Sequence, residues 1–177
     1  MPSPNRATAE QQADQLRHEL DVHDRPVPVE AIAKSLGATV LRQRMDAHIS
    51  GMTYRDGTLV VIGLNAGQHP LRQRFTLAHE IGHVRLHPGR PLTVDSNVRV
   101  DFRDNISSLA SDTEEIEANA FGAALLMPGQ AVRRDVQQLQ DGGMRGRERL
   151  VSALAKIFEV STEAMGYRLI NLGLSGA

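Results

Sequence analysis

The pattern of apolar and polar residues near the N-terminus is helical. Apolar residues recur there at intervals of three and four: Ala9, Ala13, Leu16 and Leu20. This spacing places them on one face and predicts an amphipathic helix over residues 7–22. Pro28 then suits the first turn of a short second helix ending near Leu36-Gly37, because proline is favoured at helix starts and glycine just past helix ends.

The pattern becomes strand-like after this second helix. Three β-like runs occupy residues 38–42, 51–55 and 58–64. Asp56-Gly57 separates the last two runs, and this dipeptide is typical of a two-residue type I′ turn in a β-hairpin. We therefore expect a small antiparallel sheet, with a further strand considered at residues 97–102.

Helical periodicity returns in the second half of the chain. Five helices are predicted, at residues 71–86, 112–127, 130–139, 147–158 and 162–172. Helices followed by a small sheet and then by more helices indicate an α+β fold rather than alternating βαβ units. We predict a core at residues 7–128 and a helical subdomain, packed on that core, at residues 129–177.

Composition narrows the chemistry that this fold can carry. The 177-residue chain has no cysteine, which excludes disulfides, thiolate metal sites and cysteine nucleophiles. Its 20 Lys and Arg residues nearly balance 21 Asp and Glu residues, and the net charge of −1 excludes a strongly basic binder of polyanions. Its apolar runs are shorter than the roughly 18–20 residues of a membrane span, and it shows no targeting segment, which predicts a cytoplasmic protein.

The clearest chemistry lies in the predicted helix at residues 71–86. Residues 79–83, His-Glu-Ile-Gly-His, form a His-Glu-x-x-His motif, which on a helix is a zinc-binding pattern. His79 and His83 should lie about 40° apart around the helix axis and about 6 Å apart along it, so both rings can reach one ion. Glu80 should lie beside the metal, where it can take a proton from a metal-bound water.

Two histidines leave a catalytic zinc site incomplete, because such a site usually has three protein ligands and one position for water. His87 is near, but it is better explained as a helix C-terminal histidine that interacts with the helix dipole. Glu115 is the better candidate: it shares a face with Ala118 and Gly122, two small residues that would let another helix approach closely. Glu117, on the same turn, leaves the assignment slightly open.

Two segments together form a longer pattern that is more specific than the His-Glu-x-x-His motif alone. Residues 74–83 read Arg-Phe-Thr-Leu-Ala-His-Glu-Ile-Gly-His, and residues 115–128 read Glu-Ile-Glu-Ala-Asn-Ala-Phe-Gly-Ala-Ala-Leu-Leu-Met-Pro. Together they resemble the ImmA/IrrE family of zinc metallopeptidases, and the similarity extends over about residues 10–174. The resemblance implies a minimal zincin-like fold, with three zinc ligands and one general base. The implied ligands are His79, His83 and Glu115, and the implied base is Glu80.

The resemblance also implies an activity and a partner. Relatives cleave a repressor that has a helix-turn-helix DNA-binding domain, so we expect a zinc-dependent endopeptidase with a protein substrate. An extended substrate could add to an edge of the hairpin at residues 51–64. Four residues are considered for oxyanion stabilisation, although each also has a structural explanation: His48, Tyr54, Arg72 and Tyr167.

Two other functions are kept as alternatives. Residues 147–172 follow a helix, turn, helix pattern, which a DNA-binding regulator could use. The segment from residue 129 onward has 7 Lys and Arg against 5 Asp and Glu, and this net charge of +2 is weak for binding phosphates. A purely structural zinc site is the other alternative, but a closed site with four ligands has no need of Glu80.

Overall fold

The computed structural model describes residues 5–89, 91–96 and 111–174, and these contain seven helices and a four-stranded sheet. The helices are α1 (Arg6–Glu19), α2 (Val29–Ser35), α3 (Pro70–Leu86), α4 (Ser111–Leu126), α5 (Gly129–Asp141), α6 (Arg147–Phe158) and α7 (Thr162–Asn171). The strands are β1 (Ala38–Gln43), β2 (Ile49–Asp56), β3 (Leu59–Asn65) and β4 (Leu92–Ser96). The predicted α+β class is confirmed. Over these ranges, none of the helices combines the length and the apolar character that crossing a bilayer would require.

The sheet is mixed, whereas the sequence pattern predicts an antiparallel one. Its strand order is β1-β3-β2-β4. β2 pairs antiparallel with β3 and with β4, but β1 pairs parallel with β3. The hairpin explains the difference, because β3 returns along β2 and inserts between β2 and β1, where it runs in the same direction as β1. The strand considered at residues 97–102 lies outside the described residues.

The predicted hairpin is present, with a different turn. Asp56 pairs with Leu59, so Gly57 and Thr58 form the two-residue loop. Gly57 has a φ of +56°, in the left-handed region that favours glycine, whereas the φ of Thr58 is negative. A positive φ at the first loop position alone is the pattern of a type II′ turn, not of the type I′ turn expected from Asp56-Gly57.

One buried apolar cluster contains residues from both predicted parts of the chain. Its fully buried members include Ile62, Leu77, Phe121, Leu154, Phe158 and Met165. Arg168 on α7 adds polar contacts to this packing: its Nε donates to the Met127 carbonyl at 2.9 Å, and its guanidinium pairs with Glu10 of α1 at 2.9 Å. Buried apolar residues of α6 and α7 therefore belong to the same cluster as those of α3, α4 and β3.

α3 and α4 pack so closely that glycines lie at their contact. A β-carbon on Gly122 of α4 would lie 3.0 Å from the backbone nitrogen of His79, and one on Gly82 of α3 would lie 3.1 Å from Cα of Ala118. Both distances are shorter than an ordinary van der Waals contact. The predicted close approach of a helix to this face of α4 is therefore confirmed, and the approaching helix is the one that carries the His-Glu-x-x-His motif.

We expect Gly82→Val to lower the free energy of unfolding by about 1–3 kcal/mol, because the added atoms would overpack the contact between α3 and α4. Gly166→Val is the matched control, since a β-carbon on this helical glycine of α7 would meet no neighbouring group within 4 Å. The control should be nearly neutral, because valine and glycine differ by less than about 0.5 kcal/mol in helix propensity. Urea denaturation measures both, and equal stability of the two variants would contradict the prediction.

Candidate metal centre

Two histidines on successive turns of α3 form the middle of the site. The helix has a defined start, because the His69 side chain accepts from the amide of Leu71 and Pro70 occupies the first turn. His79 and His83 follow within its buried stretch and are 0% and 1% exposed. Their Nε2 atoms lie 3.0 Å apart. Two lone pairs this close repel unless a proton or a cation lies between them, so the ring geometry suits a shared cation.

Glu115 reaches both histidines from α4. Its Oε2 lies 3.2 Å from His79 Nε2, and its Oε1 lies 3.2 Å from His83 Nε2. One ligand atom from each of the three residues lies within 4.8 Å of the others, an arrangement that could hold a metal ion. The Glu115 side chain is 39% exposed, whereas the histidines are buried, so the group is accessible from the Glu115 side.

The protonation states of these side chains suit a metal. Burial raises the pKa of Glu115, but hydrogen bonds with His79 and His83 outweigh this effect and hold that pKa well below its usual range. Burial lowers the pKa of His83, and the contact with Glu115 opposes the change only in part. An ionised carboxylate and a neutral imidazole, the forms that these shifts favour, are also the forms that bind metal.

Asn119, a residue of α4, contacts the first histidine of the motif, His79. Its Oδ1 lies 3.1 Å from His79 Nδ1, the ring nitrogen that does not contact Glu115. A metal-binding histidine usually donates its other N–H to an oxygen of this kind, which fixes the tautomer and the ring orientation. The sequence pattern assigns Asn119 no role, although its position one helical turn after Glu115, on the same face, is a signal for one.

His87 and Glu117 lie beside the group that could hold a metal. His87 Nδ1 lies 3.2 Å from His83 Nδ1, and His87 Nε2 lies 3.1 Å from Glu117 Oε2. His87 also follows the last residue of α3, where its amide donates to the His83 carbonyl. Among the residues that the structure describes, the group able to hold a metal includes neither of them. Glu115, rather than Glu117, is the acid of α4 that meets both histidines.

Glu80 is held against the sheet by β2. It is fully buried, and its Oε2 accepts a 2.6 Å hydrogen bond from Thr53 Oγ1. A β-carbon at Gly51 would lie 3.1 Å from Glu80 Oε1 and 2.5 Å from Thr76 Cγ2, so glycine leaves the space that these side chains fill. The sequence pattern does not predict either contact, although strand alternation does place Gly51 and Thr53 on one face of β2.

Arg55, the next residue on this face of β2, holds the end of α3. Its guanidinium donates to the His83 carbonyl at 2.6 Å and to the His87 carbonyl at 2.7 Å. A cation is favourable at the C-terminal end of a helix, where carbonyl groups are unpaired. Burial lowers the pKa of Arg55, and the charge of Glu80 opposes that shift. Three alternate residues of β2 therefore support α3: Gly51, Thr53 and Arg55.

The residues considered for oxyanion stabilisation have different surroundings. Tyr54 lies on the outer face of the sheet, opposite to Thr53, and is 44% exposed. Arg72 donates to the Ser50 hydroxyl at 3.2 Å. His48 is exposed in the turn before β2, and Tyr167 is half-buried on α7. Because Tyr54 lies on the outer face, its side chain is directed away from α3. None of these surroundings identifies one of the four residues as the oxyanion-stabilising group.

The predicted addition of a substrate to an edge of the hairpin is wrong. β3 is paired on one side with β2 and on the other with β1, and β2 is paired with β3 and β4. Both hairpin strands are therefore interior strands. Within the described part of the sheet, the edges are β1 and β4.

The fold and the site together define the class of this protein. A helix with a His-Glu-x-x-His motif, a third side chain from a crossing helix that could hold a metal with the two histidines, and a small sheet beside them form a zincin-like arrangement. Residues 33–170 match the peptidase family described as the IrrE N-terminal-like domain. The chain therefore belongs to the ImmA/IrrE family of metallopeptidases.

Two relatives show how far the similarity extends. Radiation response metalloprotease IrrE of Deinococcus radiodurans is 33% identical over 135 residues, which cover 71% of this chain and 36% of that protein. Uncharacterized immunity region protein 2 of Bacillus phage phi105 is 26% identical over 97 residues, which cover 55% of this chain and 56% of that protein. The matches thus span about a third of the first relative's length and just over half of the second's.

Proposed function

We propose that this protein is a zinc-dependent endopeptidase that hydrolyses a peptide bond in a helix-turn-helix transcriptional repressor. The observation that carries the proposal is the meeting of His79, His83 and Glu115 at one point, with the buried Glu80 on the same helix as the histidines. Two imidazoles and one carboxylate fit zinc, because catalytic zinc sites use this donor set and keep a further position open. Membership of a metallopeptidase family supports the same conclusion.

Each residue of the site then has a role in hydrolysis. His79, His83 and Glu115 hold the zinc ion, which when bound supplies a Lewis acid that polarises the scissile carbonyl and activates water. Glu80 takes a proton from the attacking water and delivers it to the departing amine, and general catalysis of this kind is worth roughly 10²–10⁴-fold in rate. Thr53 fixes the orientation of the Glu80 carboxylate through the 2.6 Å hydrogen bond.

The burial of Glu80 favours a catalytic site over a regulator with a non-catalytic zinc ion. A carboxylate removed from water is costly unless it is paired or has hydrogen bonds. Glu80 is 0% exposed, and its environment includes a threonine hydroxyl rather than only apolar groups. A structural zinc site gains nothing from such a carboxylate beside its ligands, whereas a peptidase needs it as the proton carrier.

Two observations support a repressor as the substrate: the resemblance to the family, and the name of one relative. That relative is named for a phage immunity region, and the other is named as a metalloprotease of the radiation response. We propose that the partner of this protein is a helix-turn-helix repressor encoded next to its own gene.

Incubation of the zinc-loaded protein with that neighbouring repressor tests the proposal. We expect cleavage at one defined peptide bond, identified by mass spectrometry of the products. Cleavage should stop when a chelator removes the metal and resume when zinc is restored. An unrelated helix-turn-helix protein is the control for general proteolysis and should stay intact. Cleavage that persists in excess chelator, or a neighbouring repressor that stays intact, would contradict the proposal.

A further inference from the structure

A chain of hydrogen-bonding groups extends from the metal-binding group to the N-terminal end of α1. His83 Nδ1 lies 3.2 Å from His87 Nδ1, and His87 Nε2 lies 3.1 Å from Glu117 Oε2. Glu117 Oε1 accepts from the backbone amide of Asn5, the residue before α1, at 3.0 Å. We call His87, Glu117 and the Asn5 amide the outer chain. It connects the end of α3 with α4 and with the start of α1.

The direction of each hydrogen bond follows from the nitrogen that faces the metal-binding group. His83 Nε2 points toward the other two members of that group, so with a cation bound there it is the atom that offers its lone pair. A neutral ring then carries its proton on Nδ1, and His83 Nδ1 donates to His87 Nδ1. The proton of a neutral His87 must in turn lie on Nε2, which donates to Glu117. The Glu117 carboxylate ends the series as an acceptor.

The side chains between the metal-binding group and α4 are sheltered, and His87 is fixed in place. The side chains of His83, His87 and Glu117 are only 2%, 9% and 22% exposed. Arg55 donates to the His87 carbonyl at 2.7 Å, so the backbone as well as the ring of His87 is held. A partner constrained in this way can impose one orientation on the ring that it contacts.

We propose that His87 and Glu117 are positioning residues for the metal: they fix the tautomer and the ring orientation of His83 so that Nε2 is presented to the ion. The inference rests on the proposed function only in requiring a metal on His79, His83 and Glu115. It extends the role of His87 beyond an interaction with the helix dipole. Outer partners of this kind typically contribute 10–100-fold to metal affinity.

Measurement of zinc affinity, without any substrate, tests whether His87 and Glu117 position His83 for the metal. His87→Leu removes the acceptor for His83 Nδ1, and we expect competition with a chromogenic chelator to show an affinity about 10–100-fold lower. His87→Asn returns an acceptor oxygen near the position of Nδ1 and should recover most of that loss. Glu117→Gln keeps an acceptor but loses the charge, and a smaller loss is expected. This last variant keeps the test decisive even if His87→Leu does not fold.

The cobalt-substituted protein gives a second measurement, because its visible spectrum reports the ligand geometry and not the overall stability. His87→Leu should change that spectrum. Arg85→Leu is the matched control, since Arg85 lies on the last turn of α3 but pairs with Glu19 of α1 at 2.8 Å. It should leave zinc affinity and the cobalt spectrum unchanged.

Two results would overturn the inference. In the first, His87→Leu and Glu117→Gln bind zinc as tightly as the wild type. In the second, His87→Asn is no better than His87→Leu. A wild-type protein that binds zinc and responds to these substitutions, but cleaves no repressor, would instead contradict the proposed function and leave the outer chain supported.

Discussion

Glu80→Gln should keep zinc bound and lose cleavage of the repressor. The amide has nearly the shape of the carboxylate, and its oxygen can still accept the hydrogen bond that Thr53 donates over 2.6 Å. It cannot take a proton from water near neutral pH, so the general-base contribution disappears and the cleavage rate should fall roughly 10²–10⁴-fold. Zinc affinity and the initial rate of cleavage, measured on the same preparation, check both halves of this expectation.

The matched control for this substitution is Glu148→Gln, which removes one exposed carboxylate from the first turn of α6. It should cleave at the wild-type rate. A Glu80→Gln protein that binds zinc and cleaves normally would reject the proposed base. Loss of zinc together with loss of cleavage would place Glu80 among the groups that hold the metal, contrary to the assignment of the ligands.

The helices can be predicted from the sequence because their signals are local. Apolar spacing and turn residues predict a helix at residues 147–158, and α6 spans Arg147–Phe158. The same signals predict a helix at residues 71–86, and α3 spans Pro70–Leu86. Once α3 is a helix, its geometry alone puts His79 and His83 on one side, one turn apart. The small residues of α4 similarly indicate a face that another helix approaches closely.

The strand order and the partners of the site depend on contacts between segments that are far apart in the chain. The periodicity of β1 and β3 says that both are strands, but it does not say that they pair in parallel. Strand alternation places Thr53 on the inner face of β2, but it does not reveal that a carboxylate 27 positions later meets that hydroxyl. The Asn119 contact with His79 spans 40 positions and is equally hidden.

The contrast between local signals and long-range contacts also applies to the candidate site, where it separates the histidine pair from the groups that orient it. The pair of histidines comes from one helix, so a five-residue motif is enough to indicate it. Thr53, which orients Glu80, comes from β2, and Asn119, which orients His79, comes from α4. These groups meet only because the sheet and α4 pack against α3. The histidine pair and Glu80 can therefore be predicted from the sequence, whereas the contacts that orient their side chains are found only in the structure.

Glu115→Gln should strongly weaken zinc binding and thereby also lose cleavage. Although burial raises the pKa of Glu115, hydrogen bonds with His79 and His83 hold it well below its usual range, so the side chain is ionised and suited to a cation. A neutral amide is a much weaker ligand. We expect zinc affinity to fall by more than about 100-fold, beyond the roughly 10–100-fold typical of outer partners. Chelator competition measures this loss, and cleavage should be undetectable at zinc concentrations that saturate the wild type.

Glu114→Gln, which neutralises the adjacent acid of α4, is the matched control and should bind zinc as the wild type does. Because Glu115→Gln leaves Glu80 intact, a large excess of zinc should restore part of its cleavage, whereas no amount of zinc should rescue Glu80→Gln. That contrast separates a ligand from a base. If Glu115→Gln binds zinc with wild-type affinity, the third ligand lies elsewhere, and the close crossing of α3 and α4 does not serve to build the metal centre.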